Sequence, residues 1–132
     1  MDFRDINQKI ILQTSLFGIF MGVLSVLGWS QNSQPFIWLF TAVVTSFYLY
    51  YNLKSFIFIH CLIIGISWGV DCALVMVLFF KTYQLNNPLF ANELLNISSS
   101  FPRLIIIAIG LLLGIITILI IYFPIYILKK IK

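Results

Sequence analysis

Charge is what this sequence has least of. Asp, Glu, Lys and Arg make up 9% of its 132 residues, where an ordinary globular domain carries roughly 25%. A water-soluble fold of this length would need one core wrapped on all sides by polar surface. Four acidic and eight basic residues cannot supply that surface. Histidine occurs once and cysteine twice. A single histidine builds no histidine-rich zinc or haem site. Cys61 and Cys72 lie about 16 Å apart along a helix, beyond disulfide reach, and read as small buried hydrophobes. The sequence also lacks a serine–histidine–acid set, a glycine-rich phosphate loop, metal-ligand spacing and paired carboxylates. Catalytic residues, cofactors and metals are therefore not expected, and the chain does not read as an enzyme. The pI near 9.2 comes without a basic stripe or an aromatic RNA-binding motif, so nucleic acid is not the expected partner. No small-x-small cleavage site follows the first apolar run, so that run is not expected to be a signal peptide.

What is present in excess is apolar length, with 61% of residues hydrophobic. Four runs, 10–29, 35–51, 56–80 and 104–128, approach or exceed the roughly 20 residues a helix needs to cross the hydrocarbon core. In lipid each such run must satisfy its own backbone, which a helix does. The expected fold class is an all-α membrane protein. It would form a single transmembrane domain over 1–132, a four-helix transmembrane bundle with short loops and one longer outer loop. The second run is the shortest, Pro35 suits its first turn, and residues 52–55 join it to the third run as a tight hairpin. Within the long connection, Asn87 and Pro88 offer a helix start followed by apolar spacing, so a short surface helix or an ordered loop is expected there. Asn96, Ile97 and Ser98 match a glycosylation acceptor, but too close to the last run for modification to be expected. Pro124 is expected to kink that last run near its end.

Loop charge sets orientation. Arg4, Lys9, Lys54, Lys129, Lys130 and Lys132 fall on one side of this scheme and only Lys81 and Arg103 on the other, which places both termini inside. Trp29, Trp38, Tyr48, Tyr50, Tyr51, Tyr83 and Tyr126 fall near the ends of the runs, as interfacial aromatic residues do. Lys129, Lys130 and Lys132 sit where anionic headgroups would contribute about 1 kcal/mol per charge. Abundant isoleucine and phenylalanine with little alanine hint at an AT-rich genome. The mitochondrial inner membrane, a bacterial inner membrane and an endomembrane all stay open as locations.

Two patterns inside the runs point to contacts. Asp71 lies well within the third run, where an ionisable side chain costs about 2.5 to 3.5 kcal/mol and is by default a functional candidate. His60, Ser67 and Asp71 follow one another at intervals of seven and four, so they share a helix face; Thr41 and Thr45 form a second polar stripe on the second run. Such a face could fix helix register or serve as a proton or ion relay. The other pattern is small-xxx-small spacing, at Gly18 and Gly22, Gly65 and Gly69, and Gly110 and Gly114, which lets helix backbones approach closely. Which of these pairs join helices within the chain and which face partners is open.

The opening Ile6, Asn7, Gln8, Lys9, Ile10, Ile11 and Leu12, the spacing from there to Asp71, and the Phe101, Pro102 and Arg103 that introduce the last run resemble the angiotensin II type 1 receptor-associated protein family. That resemblance spans most of the chain and implies a small multi-span, non-enzymatic membrane adaptor. The polar carboxyl-terminal tail of that family has no counterpart here, so receptor binding is not implied. The expected function is thus a structural or accessory subunit, or adaptor, of a larger membrane protein complex, with a respiratory-type complex suited by residue usage. Its partners would be the bilayer and other transmembrane subunits, or copies of itself. The alternative is a small oligomeric transporter or channel using the polar face with Asp71 and His60.

Overall fold

A computed structural model describes residues 6–29 and 32–131, and among them the chain is all α-helical. Six helices follow in order: α1 (Gln8–Val26), α2 (Gln34–Asn52), α3 (Ile57–Leu78), α4 (Phe80–Asn86), α5 (Pro88–Ile97) and α6 (Pro102–Ile131). Arg4 and Lys132 of the orientation and headgroup arguments lie outside the described residues.

Local chemistry sets the helix ends. Asn7 caps α1 by accepting the Ile10 N–H at 3.2 Å, as side-chain oxygens do at a first turn. The other end of α1 closes on Gly28, whose φ of +72° lets the Trp29 N–H reach the Leu24 carbonyl at 3.1 Å, the geometry of a left-handed C-terminal closure. Pro35 and Pro88 both occupy a first helical turn, where a missing N–H costs nothing. The outer connection resolves into two helices, α4 and α5. Asn87 does not cap α5 with its side chain; its amide instead donates to the Ser25 and Tyr83 carbonyls at 2.8 and 3.0 Å. Helix α6 runs unbroken through Pro124.

Three helices, α1, α3 and α6, are long and apolar enough to cross a membrane. At 30 residues, α6 measures about 45 Å, more than a hydrocarbon core of about 30 Å requires. Helix α2 matches α1 at 19 residues. It is not among those three; polar side chains within it include Gln34, Thr41, Thr45, Ser46 and Asn52.

Helix α3 is the centre of the fold, with α1 on one side and α6 on the other. All three glycine pairs lie in these two contacts. A methyl group placed on Gly18 would stand 2.8 Å from the Trp68 backbone, and one on Gly22 would stand 2.7 Å from the Val75 side chain. Across the other contact, a methyl group on Gly65 would stand 2.8 Å from the Gly114 carbonyl oxygen, and one on Gly69 would run into the carbonyl of Gly110. The sequence left open whether these pairs face inward; here they hold α1, α3 and α6 together.

Helix α2 is attached differently, along α6, by side-chain bonds. The Trp38 indole N–H donates to the Thr117 hydroxyl at 2.6 Å, and the Ser46 hydroxyl donates to the Ile121 carbonyl at 2.8 Å. These two residues, and not Thr41 and Thr45, make its polar links to α6. Phe17, Trp38 and Trp68 form an aromatic cluster joining α1, α2 and α3, with centroids 4.4 to 5.9 Å apart. Trp38 therefore corrects the reading of it as an interfacial residue: it is only 9% exposed, because α2 begins level with the middle of α6. Tyr83 is likewise buried, while Trp29, Tyr51 and Tyr126 are exposed.

The contacts also sort the ends of the molecule. Asn7 meets His60 just beyond the α2–α3 turn, and Phe58 packs on Tyr122 near the end of α6. Lys9, Lys54, Lys129 and Lys130 thus gather at one end. Lys81 and Arg103 belong to the other, where Arg103 lies over the Phe80 ring at 5.5 Å.

Candidate functional site

The single histidine is completely buried, and both ring nitrogens are in use. The backbone N–H of Asn7 donates to Nε2 at 3.0 Å. A backbone N–H is an obligatory donor, so Nε2 carries no proton and Nδ1 does. Nδ1 then donates to the Phe56 carbonyl at 2.9 Å. Phe56 has a φ of +51°, a left-handed backbone that costs a residue with a side chain about 1–2 kcal/mol. His60 therefore ties the start of α1 to a strained α2–α3 turn. That is a structural task, and it leaves neither nitrogen free to receive a transported proton.

Asp71 stands eleven residues further along α3 and is of a different kind. It is half-buried beside α1, with its Cβ 3.1 Å from where a side chain on Gly18 would begin. Among the described residues no hydrogen bond or ion pair reaches its carboxyl. Ser67 is half-buried on the same side of α3. His60, Ser67 and Asp71 are thus placed along one side of the helix, but among the described residues no hydrogen bond joins them. No group of three or more potential metal ligands lies together among the described residues.

A second feature lies on the far side of α3. Between α2, α3, α5 and α6 is a cavity of about 540 Å³. It exists because α2 starts low on α6 and α5 bridges the space above it. Its wall is almost entirely apolar, from Trp38 and Met76 to Leu113, Ile116 and Ile120. The polar side chains reaching it are Gln34, Tyr83, Glu93 and Thr117. Thr117 is already bonded to Trp38 and to the Leu113 carbonyl, the latter at 2.7 Å. Tyr83 is only 6% exposed, and its hydroxyl has no partner among the described residues. Burial, with Cys72 nearby, pushes its phenol above the ordinary value, so it stays a protonated donor. Its position in the sequence suggests a membrane interface for Tyr83, and nothing in the local pattern sets Gln34 or Glu93 apart. Their meeting depends on where α2 begins and how α5 folds back, which no local pattern encodes.

Fold and geometry together define a class, an all-α chain with three helices long and apolar enough to cross a membrane, one of which carries a carboxyl, Asp71, with no hydrogen-bond partner among the described residues. No family model, curated protein or solved structure matches the chain.

Proposed function

We propose that this protein is a non-enzymatic adaptor or accessory subunit of a larger membrane assembly, with Asp71 as the group its partner engages. In this reading α1, α2, α3 and α6 form a four-span bundle with both termini inside. The clustering of Lys9, Lys54, Lys129 and Lys130 at one end supports that orientation.

The carrying observation is the contrast between Asp71 and every other contact-forming feature. The glycine pairs are consumed inside the chain, and the histidine is bonded at both nitrogens. The α1–α2 and α2–α3 connections are short and offer little surface for a partner in water. Asp71 is the one carboxyl within α1, α3 and α6, and with no bond to it among the described residues its burial in lipid would cost about 2.5 to 3.5 kcal/mol. A basic or hydroxyl-bearing side chain on a neighbouring transmembrane helix, docked against the α1–α3 face, would offset it. Transport through the same face is the weaker reading, because His60 cannot act as its proton acceptor without breaking the bonds that hold α1 and the α2–α3 turn.

The test is mild detergent extraction from the native membrane, followed by native mass analysis of the chain and of an Asp71→Asn variant. The wild-type chain should travel with a partner, and the variant should retain that partner at least tenfold less. A lone monomer at native expression would sink the proposal, as would a variant that holds its partner as well as the original.

A further inference from the structure

We infer that the cavity between α2, α3, α5 and α6 is a binding site for a membrane lipid with an amine headgroup, of the ethanolamine kind. The inference rests on the membrane placement proposed above but not on Asp71, which lies on the opposite side of α3.

Three observations converge. The first is size and lining. A space of about 540 Å³ lies within the roughly 300–1,000 Å³ of small-ligand sites, and most of the residues lining it are apolar. The α6 part of the wall, Ile109, Leu113 and Ile116, is exposed, so the space opens sideways toward what would be lipid. An acyl chain is the matching occupant.

The second observation is Tyr83, a residue only 6% exposed whose hydroxyl has no partner among the described residues. Buried polar groups are nearly always bonded, and an unbonded one calls for an explanation. A phosphate or ester oxygen of a bound lipid supplies the missing acceptor. Gln34, half-buried at the first turn of α2 and also without a side-chain bond among the described residues, offers a second donor.

The third observation is charge. Glu93 is the one ionisable acid or base among the lining residues apart from the Tyr83 phenol and Cys72, and no Lys or Arg contributes to the wall. An anionic headgroup would meet a carboxylate with no cation to balance it. An ammonium group would find its counter-charge at Glu93 while its phosphate turned toward Tyr83 and Gln34.

The full chain should be reconstituted into vesicles of equal phosphatidylethanolamine and phosphatidylglycerol, extracted gently, and weighed by native mass spectrometry. One phosphatidylethanolamine should remain bound, with at least a tenfold preference over phosphatidylglycerol. Leu113→Trp, which fills the space from an exposed position on α6, should reduce retention at least tenfold. Glu93→Gln should keep a lipid bound but erase the headgroup preference, and Asp71→Asn should change neither. Equal retention of the two lipids by the unaltered chain overturns the proposal, and so does full retention by Leu113→Trp. If Leu113→Trp does not fold, Glu93→Gln decides, and a preference that survives it overturns the assignment. Failure of the chain to enter vesicles at all would instead remove the membrane reading beneath it.

Discussion

Helix α6 is gripped on two sides by different means. Against α3 it meets glycine with glycine, and the backbones come so close that no side chain fits between Gly69 and Gly110 or between Gly65 and Gly114. Against α2 it offers no small-residue row, and the joint is made by the bulky Trp38 and by Ser46, each through a hydrogen bond. The first joint is closed along its length. The second is closed only below Trp38, and the cavity occupies the part above. Within lipid, where apolar faces gain little by meeting each other, close backbone approach seals a contact, while isolated polar links pin it at points and leave room beside them.

That difference predicts unequal sensitivity. Gly69→Leu should have the largest effect, because its side chain would collide with the Gly110 backbone, which cannot rotate away. A loss of about 3 kcal/mol or more is expected, at the top of the range for overpacking, read as a shift in the detergent-induced unfolding midpoint. Gly110→Ala should follow with about 1–2 kcal/mol, since its methyl would stand 2.6 Å from both the Ala73 methyl and the Gly69 carbonyl. If either glycine tolerates a larger side chain without change, the α3–α6 contact is looser than described.

Much of this arrangement was legible in the sequence. Glycine pairs four residues apart in apolar runs signal backbone contact whatever the partner, and among the described residues Lys9, Lys54, Lys129 and Lys130 lie at one end of the helices and Lys81 and Arg103 at the other. Asp71 stood out because no other acidic side chain lies inside an apolar run. The failures share a physical cause. Trp38 lies four residues into its helix and so looked interfacial, but its depth depends on where α2 sits along α6. His60 looked like a titratable candidate because sequence spacing cannot show that Asn7, 53 positions away, would bond its second nitrogen. The cavity rim joins residues from α2, α4 and α5, which only tertiary packing brings together. Periodicity along one helix reports which face is apolar, not what height its neighbour reaches.

The smallest expected effect is the sharpest test of the α2 contact. Trp38→Phe keeps an aromatic ring against Phe17 and Trp68 but removes the indole N–H. Thr117 keeps its own bond to the Leu113 carbonyl, so no buried hydroxyl donor is left unmatched. In the four-span reading proposed above, the loss should therefore be close to one hydrogen bond between membrane helices, about 0.6 kcal/mol and no more than about 1.7 kcal/mol. A double-mutant cycle with Thr117→Val isolates that term, since the two side chains are in direct contact and their effects should not add. Coupling near zero would mean that apolar packing alone holds α2. A loss as large as that of Gly69→Leu would mean that α2 is joined to α6 as rigidly as α3 is, and the contrast between the two sides of α6 would disappear.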